Sequence, residues 1–114
     1  MHEVSIADSL LRIAGQECGK GGFSTIESIK VSIGRASGVM PEALLFAFDA
    51  MKAGTIAGGA SLVIEEVPVS GHCSDCAADF SVEEAYVLCC PLCGGQAFTL
   101  CSGRELHITE LEVE

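Results

Sequence analysis

Cations are scarce in this sequence, aromatic side chains are few, and no apolar run is long. Six lysines and arginines stand against sixteen aspartates and glutamates in 114 residues, a formal charge of -10. That sign repels phosphate, which excludes nucleic acid and anionic membrane surfaces as expected partners. The acids are scattered apart from Glu105, Glu110, Glu112 and Glu114, a pattern of solvated surface more than of a binding tail. With only five phenylalanines, a core has to come from aliphatic side chains on short elements. No stretch approaches the length needed to cross a bilayer, and the first twenty residues lack the basic start and apolar run of a secretory signal, so the cytoplasm is the expected location. Also missing is a phosphate-binding loop of the GxxxxGK type, so nucleotide hydrolysis would belong to a partner. Three histidines in distant segments are too few to assemble a nucleophile, base and orienting group, and no catalysis is expected.

What is present is cysteine. Seven cysteines, an odd number, in a reducing compartment read as metal ligands, reactive thiols or small buried side chains before they read as a disulfide framework. Six of them lie between Ser70 and Gly103, a stretch with little periodic apolar content and poor material for a conventional core. That segment is expected to need a metal in order to fold.

The remainder carries clear periodicities. Val4, Ile6, Ala7, Leu10, Leu11, Ile13 and Ala14 recur at helical spacing from Glu3 to about Cys18, before the breakers Gly19, Gly21 and Gly22. Ile29, Val31 and Ile33 alternate with Lys30 and Ser32 as in a strand. Pro41 suits the first turn of a second helix, whose apolar side holds Leu44, Phe48 and Met51, widened by Leu45. Leu62, Val63, Ile64 and Val67 supply another strand. This strand, helix, strand order predicts parallel pairing of residues near 27–34 and 61–68. The final segment alternates through Leu106 and Ile108, then resumes one residue out of phase at Leu111 and Val113, which a bulge near Glu110 would reconcile. Its apolar side finds no partner in the cysteine segment, so it is expected to return to the first sheet. The predicted fold is α+β: a small mixed sheet covered by two helices, formed by residues 1–69 and 104–114, with a zinc-ribbon-like module inserted at residues 70–103.

Two CxxC pairs, Cys73 with Cys76 and Cys90 with Cys93, are separated by thirteen residues, a spacing at which two tight turns present four thiolates to one ion. Zinc is the expected ion, because four thiolates suit it and leave no open position. Such a site is structural. Four-thiolate iron is the competing occupant, since Cys90-Pro91-Leu92-Cys93-Gly94 also has the form of a rubredoxin knuckle. Cys90 is preferred to its neighbour Cys89 because it preserves the two-residue gap. His72 is either an alternative ligand or a surface residue, and Cys18 and Cys101 are most simply buried small side chains.

At the other end stand Met1, His2 and Glu3. The α-amine, the His2 amide nitrogen and the His2 imidazole can close fused chelate rings, with Glu3 adding a backbone or side-chain donor. Nearly planar nitrogen sets favour nickel(II) or copper(II). By chemistry alone, however, a histidine at position two is usually an incidental terminal residue.

Taken together, Met1-His2-Glu3 before a helix, Ile33-Gly34, Pro41-Glu42-Ala43-Leu44 through Phe46-Ala47-Phe48, both CxxC pairs and Ser102-Gly103-Arg104-Glu105-Leu106 resemble the HypA/HybF family of hydrogenase-maturation proteins over the whole chain. The resemblance implies a nickel metallochaperone, with nickel as transient cargo at Met1, His2 and Glu3 and structural zinc at Cys73, Cys76, Cys90 and Cys93. It further implies delivery to the large-subunit precursor of a nickel-iron hydrogenase with a HypB-type maturation GTPase, and, among some relatives, work with urease accessory proteins. The rival reading is a zinc-ribbon module for protein docking whose N-terminus is inert.

Overall fold

The computed structural model describes residues 2–114. Its contacts resolve into two compact units: Met1–Ser32, Val39–Glu65 and His107–Glu114 form one, and Ile33–Gly38 with Glu66–Leu106 the other.

In the first unit, helix α1 spans Glu3–Lys20 and helix α2 spans Pro41–Met51, and the two pack together. Ala7, Leu10, Ala14 and Cys18 recur every three or four residues and are buried, with Glu3 at the head of the same stripe. Val4 and Ile13, which the periodicity placed on that side, are exposed, at 64% and 46%. At 100° per residue they lie roughly 80 to 100° from the stripe's centre, so the helix buries a narrower face than its apolar content suggests. The α1 end is a double-bonded turn: Phe23 N–H reaches the Cys18 carbonyl at 3.1 Å and Gly22 N–H the Gly19 carbonyl at 3.1 Å. Gly22 takes a φ of 79°, the left-handed backbone such a cap requires. Gly19, expected among the breakers, remains inside the helix. Pro41 opens α2 as expected, but Ala47, not Leu45, completes the buried face with Leu44 and Phe48.

Both helices accompany a three-stranded sheet of order β2-β1-β6, with β1 at Ile26–Gly34, β2 at Ser61–Val67 and β6 at Leu106–Val113. The central strand explains the apolar run: from Val31 to Gly34 every residue of β1 is buried. Thr25 and Glu114 exchange N–H···O bonds of 3.1 and 2.9 Å, so β6 runs antiparallel to β1. The Arg35 N–H donates to the Val67 carbonyl at 3.0 Å and Lys30 pairs with Glu65 at 3.5 Å, placing the last halves of β1 and β2 side by side in the same direction. The sheet is therefore mixed. Along β6, partial burial falls on Ile108, Leu111 and Val113, the change of phase visible in the sequence.

In the second unit, β3 (Val69–Cys73) lies between β4 (Asp79–Val82) and β5 (Phe98–Ser102), antiparallel to both. Its buried cluster is small: Cys73, Phe80 and Cys90, against which Val82, Val87 and Phe98 pack. Phe80 and Phe98 meet edge to face, with centroids 5.8 Å apart. Residues 33–38 join this unit through backbone contact: Ala36 N–H donates to the Gly103 carbonyl at 2.6 Å. A Cβ on Gly34 would lie 2.0 Å from the Gly103 carbonyl carbon, and Gly103 itself has a φ of +117°, so neither position accepts a side chain without backbone movement.

Candidate metal centres

The hairpin between β3 and β4 and the loop before β5 are two copies of one turn. Cys73 N–H donates to the Ala78 carbonyl at 2.9 Å, and Cys90 N–H donates to the Gly95 carbonyl at 2.7 Å, each closing a loop over the same number of residues. The residue after the second cysteine adopts left-handed backbone in both: Ala77 with φ 59° and Gly94 with φ 79°. In the second turn, amides point at sulfur. Leu92 N–H lies 3.4 Å from Cys90 Sγ, and Gly95 N–H 3.4 Å from Cys93 Sγ.

These turns bring Cys73, Cys76, Cys90 and Cys93 together, with all four sulfurs within 4.8 Å of one another. The Cys73 and Cys93 sulfurs are 3.6 Å apart and those of Cys76 and Cys90 3.8 Å apart. A tetrahedron of sulfurs at about 2.3 Å from a central zinc has edges of roughly 3.8 Å, so the four thiols fit that ion. Their acidities show what a cation would add. Burial opposes ionisation of Cys90, but the Leu92 and Cys93 N–H groups and the Cys73 and Cys76 thiols outweigh it and bring the pKa down to about 7. At Cys93 the Gly95 N–H favours the thiolate, yet Cys73, burial, Cys76 and Cys90 prevail and push it up to about 12. One thiolate forms easily and the next is resisted; a bound dication balances the set.

The other sulfur and imidazole groups lie outside the cluster. Cys89 is exposed, so Cys90 alone of the adjacent pair faces the other ligands. His72 points to the outer face of β3, where its Nδ1 is 2.7 Å from Asp79 Oδ1 on the facing strand. Cys18 is buried on α1, whereas Cys101 is exposed, contrary to the sequence expectation. Cys101 lies on β5 between the half-buried Leu100 and Ser102, and strand alternation turns its side chain outward.

Of the N-terminal set, Met1 lies outside the described residues. His2 is the N-cap of α1, with φ -132° and ψ 26°, and its carbonyl accepts the Ile6 N–H at 2.9 Å. Its side chain is exposed. Glu3 is 7% exposed, and its Oε2 accepts the Met40 N–H at 3.1 Å. Nothing local in the sequence announces that contact, because the partner is 37 residues away. His2 and Glu3 border a groove of about 430 Å³ whose other walls include Val4, Ala43, Phe46 and Met51. Among the described residues, the four cysteines are the one group of three or more His, Cys, Asp or Glu side chains close enough to share an ion.

A closed four-thiol cluster on a ribbon of short strands, carried by the same chain as a helix-bearing mixed sheet with a histidine second in sequence, defines a metal-handling protein. The family model described as "Hydrogenase/urease nickel incorporation, metallochaperone, hypA" matches residues 1–113. The hydrogenase maturation factor HypA of Solidesulfovibrio magneticus is 45% identical over the full length of both chains. That of a Roseiflexus species is 39% identical over 100% of this chain and 93% of its own. The solution structure of the Ni metallochaperone HypA from Helicobacter pylori superposes with a TM-score of 0.70 at 25% identity, covering 99% of this chain and 97% of that one. The chain belongs to the HypA family of nickel-incorporation metallochaperones, proteins of hydrogenase and urease maturation.

Proposed function

We propose that this chain binds nickel(II) through Met1, His2 and Glu3 and delivers it during assembly of a nickel-iron hydrogenase, while zinc at Cys73, Cys76, Cys90 and Cys93 holds its second metal region in shape. The observation that carries this reading is the contrast between the two regions. The four sulfurs surround one point and leave no place for exchange, whereas the His2 imidazole is exposed at the start of α1 and, among the described residues, belongs to no group of three or more ligating side chains. Cargo needs the second kind of site. A metal held mainly by backbone and imidazole nitrogens at a terminus can pass stepwise to an acceptor, and such donors suit nickel(II).

In this reading the nickel-binding part comprises residues 1–69 and 104–114 and the zinc module residues 70–103. The protein catalyses no reaction. Transfer takes place in the cytoplasm, to a hydrogenase large-subunit precursor, with energy from a HypB-type GTPase; urease accessory proteins are the parallel clients. Zinc, when bound, supplies charge balance and cross-linking to the four thiolates, and the Leu92 and Gly95 amides stabilise the sulfurs of Cys90 and Cys93.

The test is calorimetric titration of nickel into untagged, zinc-loaded protein and its His2→Ala variant, with zinc content read in parallel. Loss of nickel binding in the variant, by about a hundredfold or more in affinity, with zinc retained, is the expected result. Equal affinity in both would overturn the N-terminal assignment and favour a zinc-ribbon docking module.

A further inference from the structure

In the second unit, Val87 packs inward against the cluster of Cys73, Phe80 and Cys90. Tyr86 and Leu88, on either side of it, face outward and are 70% and 78% exposed. Leu92, between the two cysteines of the second turn, is 65% exposed. The loop that carries these side chains is braced at both ends. At its start the Arg35 guanidinium donates to the Glu83 carbonyl at 2.9 Å, and at its end the Leu92 N–H meets Cys90 Sγ at 3.4 Å. Tyr86 and Leu88 border a groove of about 330 Å³ whose other walls include Val82, Glu84 and Pro91. The charge around this groove is mainly of one sign. No lysine or arginine occurs between Lys52 and Arg104. Glu83 and Glu84 are exposed at the start of the loop, Asp75 is exposed in the first cysteine turn, and a dication held by four thiolates remains net negative. Arg35 meets the loop at the Glu83 backbone and offsets part of this charge.

We infer that residues 83–92 form a docking surface for a segment of another protein in which an apolar anchor, leucine or phenylalanine, is flanked by lysine or arginine. The anchor enters the groove beside Tyr86 and Leu88, and the flanking cations meet Glu83 and Glu84. A second copy of this chain is the wrong occupant, because it brings the same glutamates to the contact and a formal charge of -10 of its own. Burial of the aromatic and leucine side chains supplies affinity, while the opposed charges select the partner and speed its encounter. Because the loop is already held by Arg35 and by the cysteine turn, little ordering is left for the partner to impose. Met1, His2 and Glu3 take no part, so docking is separable from nickel binding.

The experiment uses the zinc-loaded full chain and two synthetic peptides of equal length that share one leucine and phenylalanine core, flanked by lysines in the first and by glutamates in the second. Affinity is read by fluorescence anisotropy of the labelled peptide, the place of binding by amide chemical shifts, and self-association by sedimentation equilibrium. Wild type is compared with Leu88→Ser, Tyr86→Ser and the charge reversal of Glu83→Lys with Glu84→Lys. All four side chains are exposed, and one retained equivalent of zinc confirms that each variant keeps its second unit. The lysine peptide is expected to shift the amides of residues 82–92 and to bind about tenfold or more tighter than the glutamate peptide. Leu88→Ser and Tyr86→Ser should each weaken it by about fivefold to tenfold, as loss of an interface anchor does, and the charge reversal should remove the preference between the peptides. Three results would overturn the inference. Equal binding of both peptides would deny the charge selection. Failure of the lysine peptide to bind, or shifts confined to other acidic stretches such as Glu110 to Glu114, would deny the surface. A wild-type dimer that Leu88→Ser dissociates would make a second copy the occupant.

Discussion

In the first unit Ile26, Ile29, Val31, Leu44 and Phe48 are all within 1% of complete burial, contributed by helix α2 and the central strand of a sheet. In the second, the buried cluster is Cys73, Phe80 and Cys90, and two of those three are thiols. The first unit is held by apolar area. The second has one edge-to-face aromatic pair, worth about 0.5–1.5 kcal/mol beyond its burial, and four converging sulfurs. Structural zinc in small domains binds with an apparent free energy on the order of 10–16 kcal/mol, which is folding free energy where the apo form is disordered. The comparison teaches where each kind of metal can reside. In the proposed function, the region that depends on its ion keeps it, and transfer is the work of the region folded by apolar burial.

The sharpest way to break this comparison is to take away the zinc. Cys73→Ala, or a chelator, should release one equivalent of zinc, measured with a colorimetric metal indicator. Amide resonances of residues 69–102 should collapse toward random-coil shifts, while those of α1 and α2 persist. A second unit that stays ordered without metal would show that its small apolar cluster suffices.

A smaller effect separates the two cysteine turns. Gly94 occupies left-handed backbone freely, but Ala77 pays for the same conformation with a Cβ clash of about 1–2 kcal/mol. Ala77→Gly should therefore stabilise the zinc-loaded chain by about 1 kcal/mol in denaturant unfolding, and Gly94→Ala should destabilise it by a similar amount. Equal and negligible shifts would mean that the ion, not the backbone, sets the turn.

The smallest expected effect belongs to the first unit's sheet. The Glu27 carboxyl is raised above the ordinary glutamate range, first by its hydrogen bond with the Glu114 carboxyl, then by that group's charge, by burial and by Glu112. A pKa raised on folding adds stability at acid pH that is lost as pH climbs through the raised value. Glu27→Gln should accordingly lift the melting temperature slightly at pH 7 and leave it unchanged well below the carboxylate range. A drop at pH 7 would contradict the repulsion.

Much of this is legible in the sequence. Two-residue gaps place thiols on one turn wherever they occur, so Cys73, Cys76, Cys90 and Cys93 could be paired from spacing, and Cys90 chosen over Cys89. Helical period and the Pro41 start located α1 and α2 closely, because propensity and tertiary burial agree there. What escaped depends on distant partners. Val4 and Ile13 are apolar without being covered, Cys101 faces outward because strand phase overrides a cysteine's tendency to be interior, and the burial of Glu3 is intelligible only once Met40 lies beside it. No window of sequence contains both ends of that bond.

The return of β6 to the edge of β1 has a consequence for biosynthesis. Strand β1 ends at Gly34, and its antiparallel neighbour begins only at Leu106. On a translating ribosome the whole cysteine ribbon emerges before that neighbour exists, so one side of β1 waits with unsatisfied amides and carbonyls. Every residue of the ribbon lengthens the wait, and a ribbon slow to acquire its ion lengthens the loop that β6 must close. With zinc as the proposed occupant of the four thiols, metal supply during synthesis would set nascent-chain yield separately from any cargo.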